Sequence, residues 1–376
     1  MTMVIVYPKK LGKSNALKQA FFNYVMTILN TFTSNIPVTL QLASGGTVQL
    51  VLYGCVKDSD LSLFGTSTTT STTTAGVCSL NWNTVGTTVA GSSAGTAAVP
   101  TALDSQLGLL QGPRDLALDS SGNIYIADTL DNRVVKWASG ATTGTLVTGN
   151  ANGVNGAPAP ALDTPSGVFV DANGNVYVTD TVNNRVRFVP AQGVASDITL
   201  PAGSSPWGIT RDSSTNTLYV TGSGNGKLYQ ITQNGATSDV ALNLLANPNG
   251  VALDSTKNRL VIANQAPANL ISWTIGAAAG TAAAIAGLNP APGASSGVTF
   301  DSSGNMYVAD TANNRILFFP AGQTTGRIIA GGVNPVAPAT ASTLNGPFSV
   351  KLDSQGNLYV ADTGANRIQK FSCILA

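Results

Sequence analysis

Four times in this chain an aspartate and an arginine stand five residues apart inside nearly the same septapeptide: ADTLDNR (127–133), TDTVNNR (179–185), ADTANNR (309–315) and ADTGANR (361–367). The pairs are Asp128 with Arg133, Asp180 with Arg185, Asp310 with Arg315, and Asp362 with Arg367. On either side of a tight turn, an Asp and an Arg can form a directional, charge-assisted pair. A carboxylate can also work as a general acid or base, or hold a hard cation. The repetition needs a reason because charge is scarce: charged residues are 10% of the chain, against roughly 25% in an average domain.

The sequence contains no histidine and no glutamate. Proton shuttling near neutral pH, Ser/His or Cys/His nucleophile activation and most zinc sites all depend on imidazole, so those chemistries have no residue to carry them. Residues 1–84 hold five lysines against two aspartates, while the rest holds 14 basic against 16 acidic residues. A slightly acidic body lacks the cationic footprint that a phosphate backbone requires, so nucleic acid is not an expected partner.

The elements that position the septapeptides are legible as a repeat. The marker Asp128, Asp180, Asp310 and Asp362, with Gly222 and Asn264 at the equivalent places between, recurs at 52, 42, 42, 46 and 52 residues. Each unit opens on a short apolar run ending in Asp, such as LALD, VFVD or VKLD, and turns through DSSGN, DANGN or DSQGN. It continues as IYIAD or LYVAD, passes the septapeptide, returns as RVVKW or RIQKF, and ends on a fourth run such as TLVTG or RIIAG. Four short strands per unit and six units predict an all-β, six-bladed propeller. An extra fourth strand, TTVAG at 87–91, precedes the first unit, and the last unit lacks one. That strand is therefore expected to complete the last blade and remove the open edges.

The pattern P-x-G-V-x-x-D-x-x-G-N-x-Y-V-x-D-T-x-N-N-R resembles the NHL repeat family of six-bladed propellers, over residues 85–376. On this reading the septapeptide is the hairpin between second and third strands, and its Asp and Arg lock the loop. The third unit has Gly222 and Lys227 at these positions and the fourth has Asn264 and Asn269. Both charges are gone together in the fourth, as expected of partners. The alternative is that the loop asparagines bind a sugar or peptide.

The start of each inner strand should ring one mouth of the central channel, with Arg114, Ser166, Trp207, Asn249, Ser296 and Phe348 in turn. Two aromatics and an arginine among small polar groups suit recognition of a protein, peptide or glycan, since such residues supply most hot-spot energy; the competing reading is that Trp207 and Phe348 plug the channel. Asp115 is a further candidate at the mouth and could join a calcium ion, but no second and third oxygen ligand can be named. No other cofactor is expected. The resemblance also brings to mind propeller lyases that use histidine zinc ligands and calcium lactonases that use a glutamate. This chain has neither residue type. Messenger-RNA-repressing relatives use a basic face, which the charge balance does not favour, whereas the extracellular sensor propellers of receptor kinases fit better. The expectation is a non-enzymatic, monomeric binding propeller, secreted or at the cell surface; a divergent lactonase-like or lyase-like enzyme and a matrix or coat protein are the alternatives.

Residues 1–65 read as an N-terminal extension. The segment 16–32 could form a short helix, too interrupted by Lys18, Asn23 and Asn30 to cross a bilayer, and it makes an impure signal sequence. Residues 38–54 alternate around Ser-Gly-Gly as a hairpin, and the Thr/Ser-rich stretch 66–84 reads as linker and lead-in. Of the three cysteines, Cys78 precedes the closing strand and Cys373 follows its antiparallel partner, so ring closure predicts a Cys78–Cys373 disulfide and leaves Cys55 over.

Overall fold

Short apolar runs become strands of fixed length because each Asp-x-x-Gly-Asn turn binds itself. The Asp119 carboxylate accepts the backbone amides of Ser121 and Asn123 at 3.0 Å and the Asn123 side-chain amide at 2.7 Å. Gly122 supplies the left-handed φ of +76° that the turn needs. Asp171, Asp301 and Asp353 repeat the arrangement. The third and fourth turns lack this glycine, and Asn216 and Asn258 take the left-handed conformation instead, at φ +56° and +48°.

The computed structural model describes strand backbone at 3–6, 37–41 and 47–51, and residues 78–92, 107–240, 242–278, 281–332 and 340–375. The chain divides into two units, Met1–Thr72 and Thr73–Ala376.

The second unit is a ring of six four-stranded antiparallel blades. From channel to rim, blade one runs Pro113–Leu118, Ile124–Asp128, Arg133–Trp137 and Thr145–Gly149. Blades two, three and four begin with inner strands Pro165–Val170, Pro206–Asp212 and Pro248–Asp254; blades five and six begin with Gly297–Phe300 and Pro347–Leu352. The hydrophobic core lies between blades: Leu116, Ile126, Val135 and Trp137 of blade one pack on Tyr359, Ala361 and Ile368 of blade six. Each such aliphatic side chain contributes about 1.5–3 kcal/mol when fully buried.

Closure follows the strand count. Thr87–Gly91 forms the outer strand of blade six, antiparallel to Arg367–Phe371, with Gly91 opposite Arg367 and Thr87 opposite Lys370. The stretch read as lead-in carries one element more. Cys78–Trp82 is a strand paired with Cys373–Leu375 in a two-stranded ribbon outside the blade. The Cys78–Cys373 disulfide fastens this ribbon, with Cα atoms 5.6 Å apart. Trp82 meets Tyr307 and Phe318 at ring separations of 5.7 Å and donates its indole N–H to the Gly356 carbonyl at 2.8 Å. The ribbon thus covers the junction of blades five and six.

In the first unit, Pro37–Gln41 and Thr47–Val51 form the hairpin read at 38–54, with Pro37 opposite Val51 and Gln41 opposite Thr47. Met3–Val6 adds to it as a parallel third strand, which the sequence pattern does not reveal. The helix read at 16–32, the Thr/Ser-rich stretch before residue 78 and Cys55 lie outside the described residues. Among the described residues no helix is long and apolar enough to cross a membrane.

Candidate functional site

The septapeptides sit on the face that collects the blade-to-blade connections. In each, Arg Nε meets Asp Oδ2 at 2.7–2.8 Å: Arg133 with Asp128, Arg185 with Asp180, Arg315 with Asp310, Arg367 with Asp362. All four aspartates are fully buried. Their other oxygen accepts a backbone amide from the connection entering the same blade: Gln111 N–H at 2.6 Å for Asp128, and Asp163, Gly293 and Asn345 N–H for the others. The arginines donate onward to carbonyls of the connections: Arg133 to Leu109 of the one entering blade one and to Ala151 of the one leaving it, Arg367 to Thr340 and Thr343 of the one entering blade six. Burial pushes the Asp128 carboxyl up to about 7, against the opposing pull of Arg133, and pushes Asp180 and Asp362 up as well.

Two further positions of the septapeptide act between blades, a role the Asp/Arg spacing does not disclose. The threonine hydroxyl donates to the proline carbonyl that opens the next blade: Thr129 to Pro165, Thr181 to Pro206, Thr311 to Pro347, and Thr363 across the closure to Pro113. The last asparagine, left-handed at φ near +50°, accepts the amide just before that proline: Asn132 from Thr164, Asn184 from Ser205, Asn314 from Gly346, Asn366 from Gly112. The signal was present in the invariance of Thr and Asn across the four copies. These asparagines are thus engaged in holding the ring.

At the channel mouth the six read positions separate into two sets. Arg114, Trp207 and Phe348 converge. The Trp207 and Phe348 rings stack at 6.3 Å and 18°, and the Arg114 guanidinium carbon lies 4.5 Å from the Trp207 ring centre and 5.8 Å from that of Phe348. Burial lowers the Arg114 guanidinium's proton affinity. Ser166, Asn249 and Ser296 are instead 1%, 2% and 3% exposed. Ser166 accepts from Arg114 at 3.3 Å and from Thr181 at 2.8 Å, and the Asn249 amide turns to Ser296 at 3.5 Å. They buttress the cluster. The cavity that Ser166 and Ser296 line together with Arg114, Trp207 and Phe348 is about 20 Å³, room for about one water.

Asp115 lines the small mouth cavity, with its carboxylate engaged by neighbouring strands. It accepts Leu116 N–H at 2.9 Å, Val168 N–H at 3.1 Å and the Ser349 hydroxyl at 2.6 Å, with Lys351 Nζ at 3.6 Å. In the other four blades this level holds glycine, at 167, 208, 250 and 297. A Cβ at Gly250 or Gly297 would sit 2.5 Å from the carbonyl oxygen of Ser296 or Phe348 on the next inner strand. Only glycine lets the inner strands approach so closely, and the result is a narrow waist below the mouth. Among the described residues no three acidic, cysteine or histidine side chains gather as a metal site, and Asp115 stands beside a lysine.

The molecule is therefore a six-bladed propeller whose blades are stitched by a repeated Asp-Thr…Asn-Arg hairpin. Residues 110–137, 162–187 and 344–371, in blades one, two and six of this propeller, match the family model described as NHL repeat. No curated protein matches it. Among solved structures it is similar to a protein of unknown function from Bacteroides thetaiotaomicron, at 17% identity and a TM-score of 0.60 over 77% of this chain and 75% of that one. A gluconolactonase from Xanthomonas campestris is similar at 15% identity and a TM-score of 0.53, over 77% of this chain and 95% of that one. Virginiamycin B lyase from Staphylococcus aureus, solved with quinupristin, follows at 14% identity and a TM-score of 0.48, over 73% and 98%. At these identities the likeness is one of fold.

Proposed function

We propose that this protein is a binding propeller that presents the mouth face, centred on Arg114, Trp207 and Phe348, to a protein or peptide, in an oxidising compartment outside the cytoplasm. The observation that carries this reading is the half-buried aromatic pair with an arginine against it, over a cavity of about 20 Å³. Such a cluster offers a surface to dock on and no depth for a substrate to enter. The same face carries exposed Leu130, Val154, Val182 and Leu244 on its loops, which favours a polypeptide over a glycan. The Cys78–Cys373 bond supports the compartment.

The test is selection of peptides from a displayed library on the intact protein, followed by affinity measurement on a Trp207→Ala/Phe348→Ala variant. Hot-spot residues carry at least about 2 kcal/mol each, so binding should weaken about 30-fold or more. Unchanged affinity, or binding confined to a glycan array, overturns the reading. Turnover of lactones by the wild type would move the protein to the enzyme class.

A further inference from the structure

Below the glycine waist the channel widens into a second chamber that opens on the opposite face, with a cavity volume of about 230 Å³. It is lined by the far ends of the inner strands, where half-buried Leu118, Phe169, Leu253, Phe300 and Leu352 contribute apolar surface. One charged side chain reaches this lining: Lys351, which borders both this chamber and the small cavity at the mouth. Arg211, close by on blade three, is turned away to Asp171 at 2.7 Å and Asn216 at 2.8 Å.

The lysine is incompletely matched. Its charged neighbour among the described residues is Asp115, whose carboxylate already accepts three hydrogen bonds and stands 3.6 Å from Nζ, beyond hydrogen-bond length. An ammonium offers three donors, and this one, with its side chain 25% exposed, borders a chamber lined by apolar side chains together with Thr210 and Thr299. We propose that the chamber binds a small apolar monocarboxylate, its carboxylate on Lys351 and its hydrocarbon body among Leu118, Phe169 and Phe300. The charge of the lysine selects an anion, Asp115 Oδ1, the oxygen nearest the ammonium, already holds two hydrogen bonds and so leaves the ammonium's donors to the ligand, and the leucine and phenylalanine side chains of the lining receive a hydrocarbon chain or ring. Drug-sized ligands occupy roughly 300–1,000 Å³, so this chamber takes something smaller.

Calorimetric titration of the intact protein with hexanoate, and with hexanamide as its uncharged counterpart, tests the proposal. Hexanoate should bind, and hexanamide should bind about 10- to 100-fold more weakly, the range expected for a charge-assisted hydrogen bond. Lys351→Met should weaken hexanoate by the same range and leave hexanamide unchanged. Thr210→Phe, which fills the chamber and keeps the lysine, should weaken both. The Trp207→Ala/Phe348→Ala variant should bind hexanoate as the wild type does, which separates this site from the mouth face. Equal binding of acid and amide, an unaffected Lys351→Met variant, or no heat up to the solubility limit of hexanoate would each overturn the proposal.

Discussion

Blade four does with two asparagines what blade one does with a buried ion pair, and blade three does without either. In blade one Asp128 takes the Gln111 amide and Arg133 at once. In blade four Asn264 Oδ1 takes the equivalent amide, Ala246 N–H, at 2.7 Å, and its NH₂ group donates to Asn269 Oδ1 at 3.2 Å. In blade three Gly222 leaves no acceptor, and the connection is held by backbone bonds from Ser223 and Gly224 to Ser205 and Ser204. Lys227, having lost its septapeptide partner, pairs with Asp239 at 2.7 Å. The comparison separates two jobs. Catching the incoming amide needs only an oxygen in the right place, while the charge pair additionally clamps the connection through the arginine's other donors.

The comparison breaks most visibly by removing one charge. Arg133→Met leaves Asp128 buried without its counterion and should cost about 3–5 kcal/mol in denaturant unfolding at pH 8. The loss should shrink at pH 5. Burial already lifts the Asp128 carboxyl to about 7, and deleting the opposing arginine lifts it further. A carboxyl whose folded value exceeds its unfolded value of about 3.9 stabilises the fold fully below pH 4 and less as pH rises through the folded value. Asn269→Ala should cost about 1 kcal/mol, equally at both pH values, since nothing in that pair titrates. A pH-independent Arg133→Met cost would mean that the charge of Asp128 does not matter.

A smaller effect sharpens the account of blade three. Restoring the repeat's aspartate there by Gly222→Asp should destabilise by about 1–3 kcal/mol, the usual cost of overpacking. A Cβ at 222 meets the Tyr229 ring at 2.8 Å and Asn225 Oδ1 at 2.6 Å. Those two side chains already bond each other through Asn225 Nδ2 and the Tyr229 hydroxyl, also at 2.6 Å. Stabilisation by this substitution would show blade three to be a lapsed copy of blade one. An effect as small as that of Asn269→Ala is expected from Thr363→Val, which removes the hydroxyl bonded to Pro113 across the closure and should cost about 1 kcal/mol by thermal or denaturant unfolding.

The ring was legible because strand alternation, Asp-x-x-Gly-Asn turns and the septapeptide recur together, and counting fourth strands locates the closing segment. The mouth was legible in composition and less so in direction. The inner strands of five blades carry register shifts at their starts, between Pro113 and Asp115, Pro165 and Val168, Pro206 and Ile209, Pro248 and Val251, and Pro347 and Ser349. Arg114, Ser166, Trp207, Asn249 and Phe348 fall inside these irregularities, where alternation no longer says which way a side chain points. Hence three of the six positions meet at the axis and three are buried beside it. The glycine waist had a visible signal, a Gly following the mouth residue in four blades. Lys351 had none, because its significance comes from the chamber it borders. The parallel strand Met3–Val6 is set by pairing with distant residues, which no local pattern encodes.

The fastening of blade six also sets a schedule. The half-cystines Cys78 and Cys373 are 295 residues apart in sequence, so at the usual translation rate of 5–20 residues per second the first waits on the order of 15–60 s for the second to be made. For that interval the growing chain is an arc with two ends, and Thr87–Gly91 has no strand to join. A nascent chain of this protein therefore passes a long time with sticky β-edges showing, and whatever shields it during synthesis must hold on until the final blade emerges.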